Sequence, residues 1–232
     1  MKQRINKVIA QSGFCSRRNA DALILAKKVQ VNGKLVCSLG ILVDPAVDKV
    51  SIEKKCLSLE KKVYLMLHKP VGFITSTKSQ HYAQTVFSLL PRLGLRLYPV
   101  GRLDKNTSGL LILTNDGDLS YQITHPKFEV KRVYDVVVRG YLEDNAARKI
   151  SKGGLAIDDY LTSPCVIKII KKMENKTNLL ITMHEGRKRQ IRRMFSVVKH
   201  SVIVLKRIRF GKLDLGGLEQ GKWKYIQKEE II

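Results

Sequence analysis

Apolar residues recur at helical spacing from Ile5 to Ala10 and again from Ala20 to Ala26, which predicts two short helices. Ser16 stands before Arg17, Arg18 and Asn19 in the position of an N-cap. The period then changes. Val29, Val31, Asn32-Gly33, Leu35 and Val36 predict strand, two-residue turn and strand, because Asn-Gly accepts the positive φ angles of a tight hairpin. This unit is expected to close near Ile52. Residues 53–62 are charged and only briefly apolar, as a connection between modules would be, so a first module over 1–60 and a second over 61–232 are expected.

Beyond the boundary, strand-like runs fall at Val63–Leu67, Leu110–Leu113, Tyr134–Val138, Val166–Ile170, Leu179–Met183 and Val202–Leu205, with helical stretches at Ala146–Ser151 and Arg187–Val197. Strands predominate and do not alternate regularly with long helices. The expected fold class is therefore α+β, with a mainly antiparallel mixed sheet in the second module. No internal repeat or low-complexity segment is seen.

Charge narrows the partners. The 232 residues carry 43 Lys and Arg against 20 Asp and Glu, a net charge of +23, which points to a polyanion. The excess is spread along the chain: residues 1–62 hold 13 basic and 5 acidic residues, and the larger share of the excess lies beyond them. Nucleic acid and an anionic membrane surface are the two candidates; no run approaches a membrane span and the N-terminus lacks a signal-peptide pattern, so a cytoplasmic protein is expected. Cys15, Cys37, Cys56 and Cys165 form no C-x-x-C pair and no histidine stands at metal-ligand spacing from one of them, so free thiols and no metal are expected. Neither G-x-x-x-x-G-K-[ST] nor a strand-to-helix G-x-G-x-x-G is present, which counts against ATP, dinucleotides and a Rossmann-bound methyl donor.

Basic residues cluster in the first module, where Arg4, Lys7, Arg17, Arg18, Lys27 and Lys28 stand on or beside the two predicted helices. Taken alone they form a solvated helix face. The run R-I-N-K-V-I-A-Q-S-G-F-C-S-R-R-N-A-D-A-L-I, followed by V-Q-V-N-G, resembles the alpha-L RNA-binding motif over about the first fifty residues. The resemblance implies that Arg4, Lys7, Arg17 and Arg18 meet phosphates, which positions an RNA without reading its sequence.

In the second module, Y-P-V-G-R-L-D-K-N-T-S-G-L-L-I-L-T-N-D-G from Tyr98 to Gly117 is a polar turn entering a buried strand. An Asp in such a turn commonly bonds backbone N–H groups. The string nevertheless resembles the G-R-L-D-x-x-T-S-G-L-L segment of pseudouridine synthases, which implies that Asp104 is the catalytic carboxylate. L-H-K-P-V-G from Leu67 resembles that family's upstream K-P-x-G segment, and E-G-R-K-R-Q-I-R-R-M-F from Glu185 its downstream E-G-R-x-R-Q-I-R-R-M segment. With the first module included, the likeness is to the ribosomal RNA branch, which holds the small-subunit enzymes and the B-type enzymes of the large subunit, and E-V-K-R-V-Y leans toward the latter group. Departures at Lys188, Val198-Lys199-His200 and Trp223-Lys224 leave Asp104, Tyr134 and Arg192 untouched.

The implied reaction breaks uridine's N1–C1′ bond, turns the uracil and joins C5 to C1′ with loss of the C5 proton. It needs no cofactor. A carboxylate can attack C1′ or remove the 2′ proton, and either role requires an ionised Asp104, which burial would oppose. The resemblance makes Arg192 the compensating cation, of a type able to bond Asp104 bidentately, and Tyr134 the ring that stacks on uracil, with a hydroxyl able to serve in removing the C5 proton. Lys69, Arg102, Arg187, Arg189 and Arg193 are assigned to RNA contact, the last two sharing a helix face with Arg192. The expected partner is ribosomal RNA or a ribosome assembly intermediate, met by a monomer. A non-catalytic assembly factor of the same fold and, more distantly, a basic DNA-binding protein are the competing readings.

Overall fold

The two N-terminal helices form where the apolar spacing places them, at Ile5–Gln11 and Arg17–Leu25. This is a computed structural model and describes residues 1–77 and 83–232. Ser16 Oγ accepts the Asn19 N–H at 3.1 Å, closing the cap of the second helix. Asn32 and Gly33 turn the hairpin at φ 52° and 81°, so Val29–Val31 pairs antiparallel with Lys34–Val36 on one side and Val50–Ile52 on the other. Ile5, Ile9, Ile24, Val29 and Ile52 are fully buried between these helices and strands. Each such burial is worth roughly 1.5–3 kcal/mol.

Residues 53–62 are more than a connection. Glu53 and Lys54 turn the chain at positive φ, and Lys55–Cys56 adds a fourth strand against Val50–Ile52. A two-residue strand is too short to show a period, which is why composition alone reads it as linker. The Glu60 N–H then bonds the Gln11 carbonyl at 3.1 Å. The first compact unit comprises Met1–Val63 with Arg92–Leu97 and Asn115–Gly117, and the second holds the remainder.

The second unit is built on a nine-stranded mixed sheet. Its main path runs Val166–Met173, Lys176–Met183, Arg132–Arg139, Val202–Phe210, Ser108–Thr114, Tyr64–Lys69 and Trp223–Tyr225, with Leu213–Asp214 and Tyr98–Pro99 at the side. Neighbours are antiparallel except Val202–Phe210 and Ser108–Thr114, which run parallel with Arg207 opposite Gly109. The α+β architecture with a largely antiparallel mixed sheet is thus present. Met66, Leu110, Ile112, Leu119, Ile123 and Phe210 fill one core cluster beside it.

Most expected elements differ in their bounds, and two of these differences bear on the site. The helix expected over 187–197 begins at Gln190, because Arg189 takes the left-handed conformation (φ 54°) and ends any helical run there. Arg189 therefore does not share a helix face with Arg192 and Arg193. The run at Val202–Leu205 continues to Phe210 through Lys206, Arg207 and Arg209, whose charges hide the strand period although Arg207 points inward.

Candidate active site

Asp104 sits in a turn closed by the Thr107 N–H on the Asp104 carbonyl at 3.0 Å, and the chain enters the buried strand at Ser108. Gly109 explains why this strand can lie against Val202–Phe210. Its φ is +111°, and a Cβ built there would stand 2.2 Å from the Arg207 carbonyl oxygen. The turn is held from the other side by the upstream segment. Thr75 Oγ1 donates to the Leu103 carbonyl at 2.8 Å and accepts its N–H at 3.3 Å, and the Gly72 N–H reaches the Lys105 carbonyl at 2.9 Å.

Lys69 completes that clamp, and its assignment to RNA contact is corrected. The side chain is fully buried, with Nζ donating to the carbonyls of Thr107 at 2.8 Å, Pro70 at 2.9 Å and Lys105 at 3.5 Å. No phosphate can reach it. Burial pushes its pKa down to about 8, opposed by the negative charge of Asp104. The lysine of K-P-x-G is thus a cation under the turn.

Arg192 also reaches the turn from behind. Nη1 donates to the Val202 carbonyl at 2.9 Å and Nη2 to the Asn106 carbonyl at 2.6 Å, while Nε is buried without a partner. A bidentate bond to Asp104 is absent because both Nη groups are committed to backbone. Arg192 and Asp104 still interact through their charges, and the proton affinity of Arg192 is lowered by burial first and by Arg189 second, with Asp104 opposing. Among the described residues, no side chain or N–H bonds the Asp104 carboxylate.

Asp104 and Tyr134 line one pocket of about 290 Å³, close to the lower limit of roughly 300 Å³ for small-molecule sites. Arg192 stands outside its wall. Tyr134 is 7% exposed on Arg132–Arg139, paired across the sheet with Ile181 and Arg207. Leu205, Met183 and Ile191 add apolar wall, and Arg102, Arg187 and Arg189 add positive charge. Sequence reasoning missed Leu205 and Met183, although their strand alternation puts them on the pocket face.

The E-G-R-K-R-Q loop has its own support. Glu185 accepts the Ser163 N–H at 2.9 Å and the Ser163 hydroxyl at 3.2 Å, and it is bonded by Gln190 Nε2, while Gln190 Oε1 accepts the Arg187 N–H at 2.9 Å. These bonds leave Arg187 exposed, its guanidinium 4.0 Å from the centre of the Tyr160 ring. Arg193 forms an ion pair with Asp158 instead of standing free. In the first unit Arg4, Arg17 and Arg18 are exposed and Lys7 is half-buried. Among the described residues there is no group of three or more His, Cys, Asp or Glu able to hold a metal ion, and no helix is long and apolar enough to cross a membrane.

A carboxylate turn and a buried tyrosine share one pocket on a mixed sheet, ringed by arginines, an arrangement suited to an enzyme that acts on a polyanion. Comparison with known proteins agrees. The RNA pseudouridylate synthase family matches residues 63–197 and the S4 domain matches residues 3–46. An RNA pseudouridine synthase of Aquifex aeolicus is 40% identical over the whole chain and 93% of its own length. The ribosomal large subunit pseudouridine synthase B of Bacillus subtilis is 38% identical over 99% of the chain and 94% of its own length. A crystal structure of a pseudouridylate synthase superposes with a TM-score of 0.71 at 30% identity, covering 98% of this chain and 97% of that one. The chain belongs to the RNA pseudouridylate synthase family, with an N-terminal S4 domain, and is an isomerase.

Proposed function

We propose that the protein converts one uridine of large-subunit ribosomal RNA to pseudouridine, with Asp104 as the reacting carboxylate. The observation that carries this reading is the shared pocket of Asp104 and Tyr134, in which the Asp104 oxygens are free of hydrogen bonds from the described residues while its turn is bonded from behind. A free, ionised carboxylate can attack C1′ or take the 2′ proton. Lys69 from beneath the turn and Arg192 through Asn106 bring positive charge to the surroundings of this carboxylate.

Tyr134 presents its ring to the uracil against Leu205 and Met183, and its hydroxyl serves in moving the C5 proton once C5 has joined C1′. Reaching this pocket requires the uridine to leave its stack, at a cost of a few kcal/mol offset by stacking and phosphate contacts. Arg102, Arg187 and Arg189 meet the strand at the pocket mouth. Residues 1–60 act as the RNA-holding module through Arg4, Lys7, Arg17 and Arg18, and residues 61–232 as the catalytic domain. The protein works as a cytoplasmic monomer on ribosomal RNA or an assembly intermediate. Support for the large-subunit target comes from the Bacillus subtilis relative's name and from the E-V-K-R-V-Y segment.

Mapping pseudouridine in ribosomal RNA from cells with and without the gene tests the assignment. One large-subunit position should revert to uridine in the absence of the gene. An unchanged map in both subunits would leave the ribosomal target without support.

A further inference from the structure

A second cavity of about 570 Å³ opens beside the first and shares Gly101, Arg102, Tyr134, Gly186 and Arg187 with it. Its floor includes Arg132 and Arg207, which are 9% and 3% exposed. Both guanidiniums stand 4.9 Å from the centre of the Phe210 ring, so two like charges share one buried aromatic. The cost is visible at Arg132. Its proton affinity is lowered by burial first, with Tyr134 opposing and Arg207 adding a smaller lowering.

Buried charges are normally paired. Among the described residues, neither arginine has a carboxylate partner. Arg132 donates to the carbonyls of His184 and Ile123, whereas Arg207 donates only Nε, to the Leu110 carbonyl at 2.8 Å, and its Nη2 is buried with no partner. Two carboxylates line the same cavity. Glu185 is already bonded by Ser163 and Gln190, and Glu129 is exposed. The missing counter-charge must come with a ligand.

Resting on the pseudouridine synthase reading, we propose that this cavity is a phosphate subsite that takes the phosphodiester adjoining the target uridine, together with part of the neighbouring nucleotide. Arg207 and Arg132 face the anion, and Arg102 and Arg187 guide it past the shared wall. A guanidinium fork matches phosphate oxygens bidentately. The cavity is larger than the base pocket and shares a wall with it, as suits an RNA strand delivering its uridine to Tyr134. Binding relieves the repulsion between the two arginines, so the free protein holds part of its RNA affinity in reserve.

The test is a titration of the full-length protein with ¹⁵N-labelled arginine side chains, using uridine, inorganic phosphate and the dinucleotide UpU. UpU should move the Nε signals of Arg132 and Arg207 at concentrations about tenfold below those needed with inorganic phosphate, and uridine should leave both in place. Arg207→Lys keeps the charge without the fork and should weaken UpU about tenfold. If that variant does not fold, the wild-type titration decides alone. Equal response to uridine would make the cavity a base site, and phosphate binding as well as UpU would make it a free-anion site. Signals moving only at Arg102 and Arg187 would confine the contact to the rim. Each of these three results overturns the proposal. UpU binding here without any C5 tritium release from RNA would instead count against the Asp104 reading and leave the subsite standing.

Discussion

The basic residues of the first unit and those beneath the Asp104 turn contribute alike to the +23 charge of the chain, yet they are used in opposite ways. Arg4, Arg17 and Arg18 are exposed, and among the described residues Arg17 makes only a long bond to Asn6, at 3.5 Å. They are free to meet phosphate, at energies that salt will screen. Lys69 and Arg192 are wholly or largely buried and bond backbone carbonyls of the turn and its neighbours. Net charge therefore overstates the RNA-facing surface of this protein. Part of it holds the reacting loop in place.

The largest effect that would break this contrast is at Gly109. Gly109→Ala puts a Cβ against the Arg207 backbone, in a conformation that L side chains seldom adopt. It should destabilise the second unit by about 3 kcal/mol or more. Denaturant unfolding measures this, and a loss under about 1 kcal/mol would mean that the two parallel strands separate easily.

Lys69→Met comes next. It strips the donor from three carbonyls and the charge from beneath Asp104, so turnover should fall by about 100-fold, the loss of a buried charge-assisted network of about 2–3 kcal/mol. RNA affinity should stay within about threefold, because Lys69 is out of reach of phosphate. The same lysine sets a pH dependence. Its folded pKa of about 8 lies below the ordinary 10.5, so the unfolded chain binds more protons between those values. The stability of the wild type relative to Lys69→Met should therefore rise with pH across that window, by at most about 1.4 kcal/mol per pH unit. Paired unfolding curves at pH 7.5 and about 10 read the difference. No change would place Lys69 in contact with water, and a fall would require a folded pKa above the ordinary value.

The smallest effect on the fold belongs to the first unit. Replacing Arg4, Lys7, Arg17 and Arg18 by alanine should leave the unfolding midpoint nearly unchanged and flatten the log–log salt dependence of RNA binding by about 0.7–0.9 for each phosphate no longer neutralised. An unaltered slope would remove these residues from the RNA interface.

Much of the fold is legible in the chain because local rules agree with the tertiary outcome. Ser16 caps, Asn32-Gly33 turns, and the alternation around Tyr134 places it on a buried face. The three family segments converge on one place, with Asp104 and Tyr134 in one pocket and the K-P-x-G residues behind it. The resemblance brings Lys69 and Arg192 to the site but not the bonds they make there, because a side chain in a dry interior first satisfies the unpaired carbonyls around it. The Arg189 break is a backbone choice that no charge pattern signals. Arg132 and Arg207 escape notice because a basic residue within a strand-like run looks exposed until its cross-strand neighbours are known.

The mechanism requires Asp104 to be a free carboxylate carried by buried cations, and Asp104→Asn tests this most directly. The substitution keeps size and hydrogen-bonding capacity while removing the charge, so neither attack at C1′ nor removal of the 2′ proton remains possible. Turnover is read as tritium released from C5-labelled uridine in a ribosomal RNA fragment or assembly intermediate, with RNA affinity measured on the same protein. Release should vanish while affinity holds or rises, since a negative charge has left a cleft built for phosphate. Release at the wild-type rate from Asp104→Asn would contradict the mechanism outright.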